Sequence, residues 1–162
     1  MTFAVLRIRG KGDLRRDVKD TLRMLHLTRQ NHCSILPQDP TYQGMLQLVK
    51  DHVTWGEIEP EMLAKLLLKR GRQVGDRPID DAFVKAHSKY KSIWDLSQAI
   101  AKGEASLADV RELRPVLRLP PPRRGFRGIK RGFHDGGDLG YRGKAINDLL
   151  QRMVEEAGPD GL

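Results

Sequence analysis

Thr2-Phe-Ala-Val-Leu-Arg-Ile-Arg9, Leu14-Arg-Arg-Asp-Val-Lys-Asp-Thr-Leu-Arg-Met-Leu25, His32-Cys-Ser-Ile-Leu36, Asp39-Pro-Thr-Tyr-Gln-Gly-Met-Leu-Gln-Leu-Val49 and Val53-Thr-Trp-Gly-Glu-Ile-Glu59 follow one another and decide the fold. The first is rich in β-formers and ends in alternation, with Leu6 and Ile8 set against Arg7 and Arg9, before Gly10-Lys11-Gly12 stops it. The second switches to helical spacing: Leu14, Val18, Leu22 and Leu25 form one stripe, with Arg15, Arg16, Lys19 and Arg23 largely off it. The third is a short strand. The fourth opens on Asp39 as N-cap with Pro40 in the first turn and predicts a helix to about residue 51 or 52. The fifth is a third strand. The pattern β-α-β-α-β predicts an α+β fold, with both helices on one face of a small sheet.

Outward from this core, residues 1–59, the chain becomes helical. Pro60 opens a helix through Met62, Leu63, Leu66 and Leu67 that Gly71 ends. Residues 80–88 and 93–102 read as two more, the latter begun by Ser92 capping toward Asp95 and stopped by Gly103. Ser106 to Asp109 starts a short turn. Residues 60–113 thus form a helical extension. Residues 114–162 hold a brief strand at Val116 to Leu119, cut off by Pro120-Pro-Pro122. A stretch without hydrophobic periodicity follows, and then an amphipathic helix from Lys144 to Glu156.

Charge is segregated. The chain of 162 residues carries 29 Lys and Arg against 21 Asp and Glu, net +8. Residues 7–29 hold +5 and residues 114–144 hold +7, while the middle is balanced. Net charge speaks to partners and not to fold. No run approaches the ~20 apolar residues of a membrane span, so a membrane partner is not expected. The apolar start Met1 to Leu6 is too short for a signal peptide, and a cytoplasmic protein is the expectation. The single cysteine, Cys33, cannot close an internal disulfide and lies in an apolar strand, where packing is expected of it and not catalysis.

The segment Arg118 to Lys144 carries the chemistry. Its arginines offer planar forks for phosphate oxygens, and its seven glycines from Gly125 to Gly143 permit close backbone approach. Phe126, Phe133, His134 and Tyr141 are spaced to stack on bases. RNA contacts are expected here at Arg118, Arg123, Arg124, Phe126, Arg127, Lys130, Arg131, Phe133, His134, Arg142 and Lys144. A second basic face is expected at Arg7, Arg9, Lys11, Arg15, Arg16 and Arg23. A solvated loop would not need the apolar anchors Phe126, Ile129, Phe133 and Leu139. The phosphate-loop and dinucleotide glycine motifs are absent. No carboxylate pair, nucleophile or metal-ligand spacing among His26, His32, His52, His87 and His134 argues for an enzyme, a cofactor or a small-molecule substrate. Asp135 and Asp138 are expected to brace turns.

Two stretches resemble a known family. Residues 3–59, with Leu27-x-Arg29-x-Asn31-His32 and Pro40-Thr-Tyr-Gln-Gly44-Met45, are similar to the short bacterial form of the universal large-subunit ribosomal protein family numbered thirty. Residues 115–153 are similar to its long archaeal and eukaryotic form, numbered seven in eukaryotes. The matching motifs are Leu119-Pro-Pro-Pro-Arg123-Arg-Gly125-Phe126, Gly136-Gly137-Asp138-x-Gly140-x-Arg142 and Ile146-Asn147-x-Leu149-x-x-Arg152-Met153. A long basic N-terminal extension marks the eukaryotic form, and here the chain starts at its first strand, so the expected source is archaeal. The resemblance implies a β-α-β-α-β core and a structural part in the large subunit. Its implied partners are large-subunit rRNA, 5S rRNA and neighbouring ribosomal proteins. It adds Arg29, Asn31, Tyr42 and Gln43 to the expected RNA contacts. A free RNA chaperone or regulatory RNA-binding protein is the alternative on the same surfaces.

Overall fold

The computed structural model describes residues 2–10, 12 and 14–154. Strand β1 (Thr2–Arg7) lies at the centre of a five-stranded sheet, with β2 (His32–Pro37) and β3 (Val53–Glu57) antiparallel on either side. Helix α1 (Arg16–Met24) joins β1 to β2, and α2 (Pro40–Leu48) joins β2 to β3. The α2 start is as expected: Asp39 accepts the Thr41 amide at 2.9 Å, with Pro40 in the first turn.

Alternation along β1 sends side chains to both faces. Phe3 and Val5 join Val18 and Leu22 of α1 and Leu46 of α2 in one apolar cluster. Both helices of the core therefore pack on one face, as the sequence predicts. Ala4, Leu6 and Ile8 join a second cluster on the other face, with Leu63 and Leu66 of α3 (Pro60–Arg70) and Leu96 and Ile100 of α5 (Ile93–Ala101). Leu149 and Leu150 of α6 (Ile146–Val154) complete it. The short α4 (Asp81–His87) adds Phe83 and Val84 at its edge. All six residues of β1 are consequently buried, and the sheet is covered by helices on both sides. Cys33 is fully buried in the second cluster, and burial pushes its thiol pKa up to about 12. That is the inert packing role expected of it.

Two late strands extend the sheet. β4 (Val116–Arg118) adds antiparallel to β2, and β5 (Gly140–Tyr141) adds parallel to β3, giving the order β4-β2-β1-β3-β5. β5 was not legible as a strand. Its two residues carry no alternation, and it is placed by non-local bonds: the Arg142 amide donates to the Trp55 carbonyl at 2.9 Å and Thr54 Oγ1 donates to the Gly140 carbonyl at 2.7 Å. Gly56 makes the approach possible, since a Cβ there would sit 1.8 Å from the Gly143 carbonyl oxygen. No helix among the described residues is long and apolar enough to cross a membrane.

Candidate nucleic-acid interface

The register of the sheet brings five separate segments to one end. Arg7 stands opposite Val53, His32 opposite Arg118, and Thr54 opposite Gly140. Continuing past these pairs, the Ile8 and Arg9 amides both donate to the His52 carbonyl, at 2.9 and 3.1 Å, and the Asn31 amide donates to the Arg7 carbonyl at 2.8 Å. The Leu119 amide in turn donates to the Asn31 carbonyl at 3.1 Å. This end therefore collects Arg9, the α1–β2 turn with Arg29, the α2–β3 turn with Lys50, Arg118 and the glycine-rich loop. Arg29, Lys50 and Arg118 are exposed and Arg9 is half-buried. The opposite end, where Phe3 faces Glu57, carries Glu57, Glu59 and Glu61. The sheet is electrically lopsided along its strands.

Three buried side-chain atoms at the cationic end have no protein hydrogen-bond partner: Asn31 Oδ1, His32 Nδ1 and His52 Nδ1. Asn31 itself sits at φ 67°, in the left-handed region that asparagine tolerates better than most residues.

The loop beside this end is folded onto itself. Asp138 is fully buried. Its Oδ2 accepts the Gly128 amide at 3.0 Å and its Oδ1 accepts Arg142 Nη2 at 3.0 Å. Arg142 also donates to the Asp138 carbonyl at 2.6 Å and, through Nε, to Thr54 Oγ1 at 2.8 Å. The Asp138 amide returns to the Gly128 and Arg131 carbonyls. Gly137 has to be glycine here, because a Cβ would lie 2.1 Å from the Arg131 carbonyl oxygen. Glycines expected to admit phosphates thus serve, in part, to let the loop pack on itself. Asp138 is the turn brace the sequence suggested.

Two of the expected contact residues are turned inward. Arg142 is 7% exposed, held by the bonds above and by the Phe133 ring 4.9 Å from its guanidinium carbon. Arg7 is 6% exposed and donates to the carbonyls of Leu27, Arg9 and Gly10. Both are struts, since freeing either guanidinium would break several bonds to buried acceptors. Phe133 also carries Arg127 at 4.9 Å, so its ring is already engaged by cations. Phe126 is half-buried against the second cluster.

Arg124, Arg127, Lys130, Arg131 and His134 are exposed along the loop. Arg152 Nη1 fastens the loop's start, donating to the Arg123 and Gly125 carbonyls at 3.0 Å each. Arg15, just before α1, and Arg16 and Arg23 on it are exposed, the first two paired loosely with Asp17 and Asp20. Arg23 lines an open groove of about 520 Å³ together with Lys19, Leu14 and Thr28. Tyr42 and Gln43 lie in the first turns of α2, which starts from the opposite end of the sheet, and Lys144 lies beside Asn147 there. Lys11 falls outside the described residues. Lys50, His32 and His52 are not among the expected contacts, and the register brings them to the cationic end as well.

His32 and His52 both have pKa values lowered below the usual histidine value. Burial is the main cause in each. Arg118, Arg29 and Arg7 add to it at His32, and Arg9 and Arg7 at His52, where Asp51 pulls the other way. The folded chain therefore holds both rings neutral at pH values where the unfolded chain already binds a proton. This contribution to stability is complete above about pH 6.5 and is lost as pH falls through the lowered values. Urea unfolding is expected to show a lower midpoint at pH 5 than at pH 7.5. The double variant His32→Asn/His52→Asn should flatten that decline, and an unchanged slope would refute this account.

Comparison with known proteins gives one consistent result. The family model for ribosomal protein L30p/L7e matches residues 3–53. Over 149 residues the chain is 50% identical to the large ribosomal subunit protein uL30 of Methanopyrus kandleri, covering 91% of this chain and 100% of that protein. It is 47% identical to the protein of the same name from Methanoculleus marisnigri and 48% identical to that from Archaeoglobus fulgidus. Each alignment spans 151 residues, 93% of this chain and 99% of the relative.

Proposed function

This chain belongs to the uL30 family of large-subunit ribosomal proteins, the L30p/L7e proteins, and on that premise we propose that the cationic end of its sheet, with the glycine-rich loop beside it, is the surface that binds rRNA. The chain is a structural, non-catalytic component of the large ribosomal subunit in its archaeal form, and its place is the cytoplasmic ribosome. The observation that carries the binding reading is the gathering of Arg9, Arg29, Lys50, Arg118 and the loop cations at one end of the strands, while Glu57, Glu59 and Glu61 lie at the other. A polyanion is attracted most strongly to that end, which favours one orientation as well as affinity.

On this reading Arg29, Asn31, Arg118, Arg123, Arg124, Arg127, Lys130, Arg131 and His134 meet the RNA directly, mostly through phosphate and shape and less through base edges. Arg7, Arg142 and Phe133 act from within by holding the surface in place. Arg15, Arg16 and Arg23 form a second patch along α1, and Tyr42, Gln43 and Lys144 a third at the far end; Lys11, also expected from the sequence to bind, lies outside the described residues. The family resemblance adds 5S rRNA and neighbouring ribosomal proteins as further partners.

A cell lysate sedimented in magnesium tests the assignment. The chain is expected to travel stoichiometrically with large subunits. Recovery mostly in the soluble fraction would favour a free RNA chaperone instead. With purified protein and an rRNA fragment, each of Arg29→Ala, Arg118→Ala and Arg131→Ala should weaken binding regardless of sequence and reduce the salt slope by about 1.

A further inference from the structure

A cleft of about 390 Å³ separates the α2–β3 turn from the glycine-rich loop. We propose that it receives a single unpaired nucleotide of RNA, with the base against Tyr141 and His134 and the flanking phosphates on Lys50 and Lys130. The proposal rests on the reading of the loop as RNA-binding and goes beyond it by naming a pocket, a ligand and two residues, Asp51 and Asp135, that the charge pattern alone would count against it.

The volume lies within the range of small-ligand sites, about 300–1,000 Å³. Lys50 and Asp51 line it from the turn, Lys130, His134 and Asp135 from the loop, and Tyr141 from β5. Each of these is exposed, and Phe133 and Leu139 complete the lining, so a guest would meet charged heads and a ring together with some apolar surface. Two ammonium groups suit phosphate. Two carboxylates do not, and a site for phosphate alone would be opposed by both. A base resolves the conflict: its ring N–H and amino groups are donors, and a carboxylate is the acceptor that matches them. Guanine fits best, because its N1–H and amino group can reach both oxygens of one carboxylate side by side.

The stacking surface is already rigid. Tyr141 donates its hydroxyl to Glu57, and its ring lies edge-on to Phe3 at 6.2 Å and tilted to Trp55 at 6.3 Å. A base that stacks on it immobilises little further side chain. Phe133 is not the free stacking face, since Arg127 and Arg142 each lie 4.9 Å from its ring centre. It instead holds His134 edge-on at 5.6 Å, so the imidazole stands at the rim with its own ring exposed. The base must be unpaired, because the edges of a base in an A-form duplex cannot enter a cleft of this kind.

Full-length protein labelled with nitrogen-15 is titrated with GMP, AMP, CMP, UMP and inorganic phosphate, reading the backbone amides of Lys50, Asp51, Gly132, His134 and Tyr141. GMP is expected to shift these amides saturably, with phosphate and UMP about tenfold weaker or more. Asp135→Asn should remove the preference for GMP over UMP, and Lys50→Ala should weaken all nucleotides alike. Phosphate binding as tightly as GMP would overturn the proposal in favour of a plain anion site. Silence at these amides with every nucleotide, while an rRNA fragment still binds and is weakened by Arg131→Ala, would overturn the pocket and leave the RNA-binding reading standing. An rRNA fragment that fails to bind at all would overturn both.

Discussion

Replacing Asp138 with alanine is expected to lower the free energy of unfolding by about 3–5 kcal/mol, the usual cost of leaving one member of a buried ion pair alone. The carboxylate is fully buried, and its partner Arg142 keeps only 4% of its side chain exposed. Burial disfavours the Arg142 cation, and Asp138 is what counters it. Without Asp138 the Gly128 amide loses its acceptor, and the Arg142 cation loses the one charged partner among its bonds, keeping the neutral residue-138 carbonyl and Thr54 Oγ1. Urea unfolding followed by circular dichroism measures the loss, and a midpoint indistinguishable from the parent would refute it. The double variant Asp138→Ala/Arg142→Ala should recover part of the loss, because no orphan charge remains. The cycle then isolates the coupling between the two. A buried pair need not be more stable than an apolar pair of the same volume. Its value here is positional: it ties the loop to Thr54 of β3, and so fixes where the exposed arginines stand.

The β-α-β-α-β core was legible because each of its elements announces itself locally. Val18 and Leu22 are spaced for one helical face, Asp39-Pro40 is a helix start in itself, and Leu6 and Ile8 alternate with arginines. The same alternation misled about Arg7. Taken alone it suggests one wet face of β1, whereas α1 and α2 cover the face that Arg7 shares with Val5 and Phe3, and α3, α5 and α6 cover the other. The apolar stripe of the helical extension was the available signal, since Leu63 and Leu66 must bury against something and the sheet had a face to spare. Arg142 is a different failure. Its charge belongs to a cationic segment, but its partner is four residues earlier and its acceptor Thr54 is 88 positions away. A census of charge by segment cannot separate a strut from a contact. The cleft was invisible for the same reason: Lys50 and Asp51 sit in a stretch of balanced charge and meet Lys130 and His134 only after β5 has paired with β3.

The affinity of the chain for large-subunit rRNA is expected to fall by about 10³-fold between 50 and 200 mM monovalent salt. Each phosphate neutralised releases condensed counterions, and six or more contacts produce a loss of that size. Arg29, Arg118, Arg124, Lys130 and Arg131 are exposed at or beside the cationic end, and Arg9 is half-exposed there, so the number is within reach. Arg118 already leans on Asp76 at 3.5 Å, but that pair is open to solvent and yields readily to a phosphate. Filter binding across a salt series gives the slope directly. The quadruple variant Arg29→Ala/Arg118→Ala/Lys130→Ala/Arg131→Ala should flatten the slope by about 4. A control of equal charge change at exposed lysines outside the proposed interface, Lys65→Ala/Lys69→Ala/Lys85→Ala/Lys91→Ala, should flatten it much less. Equal slopes for the two variants would mean that net charge alone holds the RNA, and that the placement of cations by the register of the sheet has no part in it.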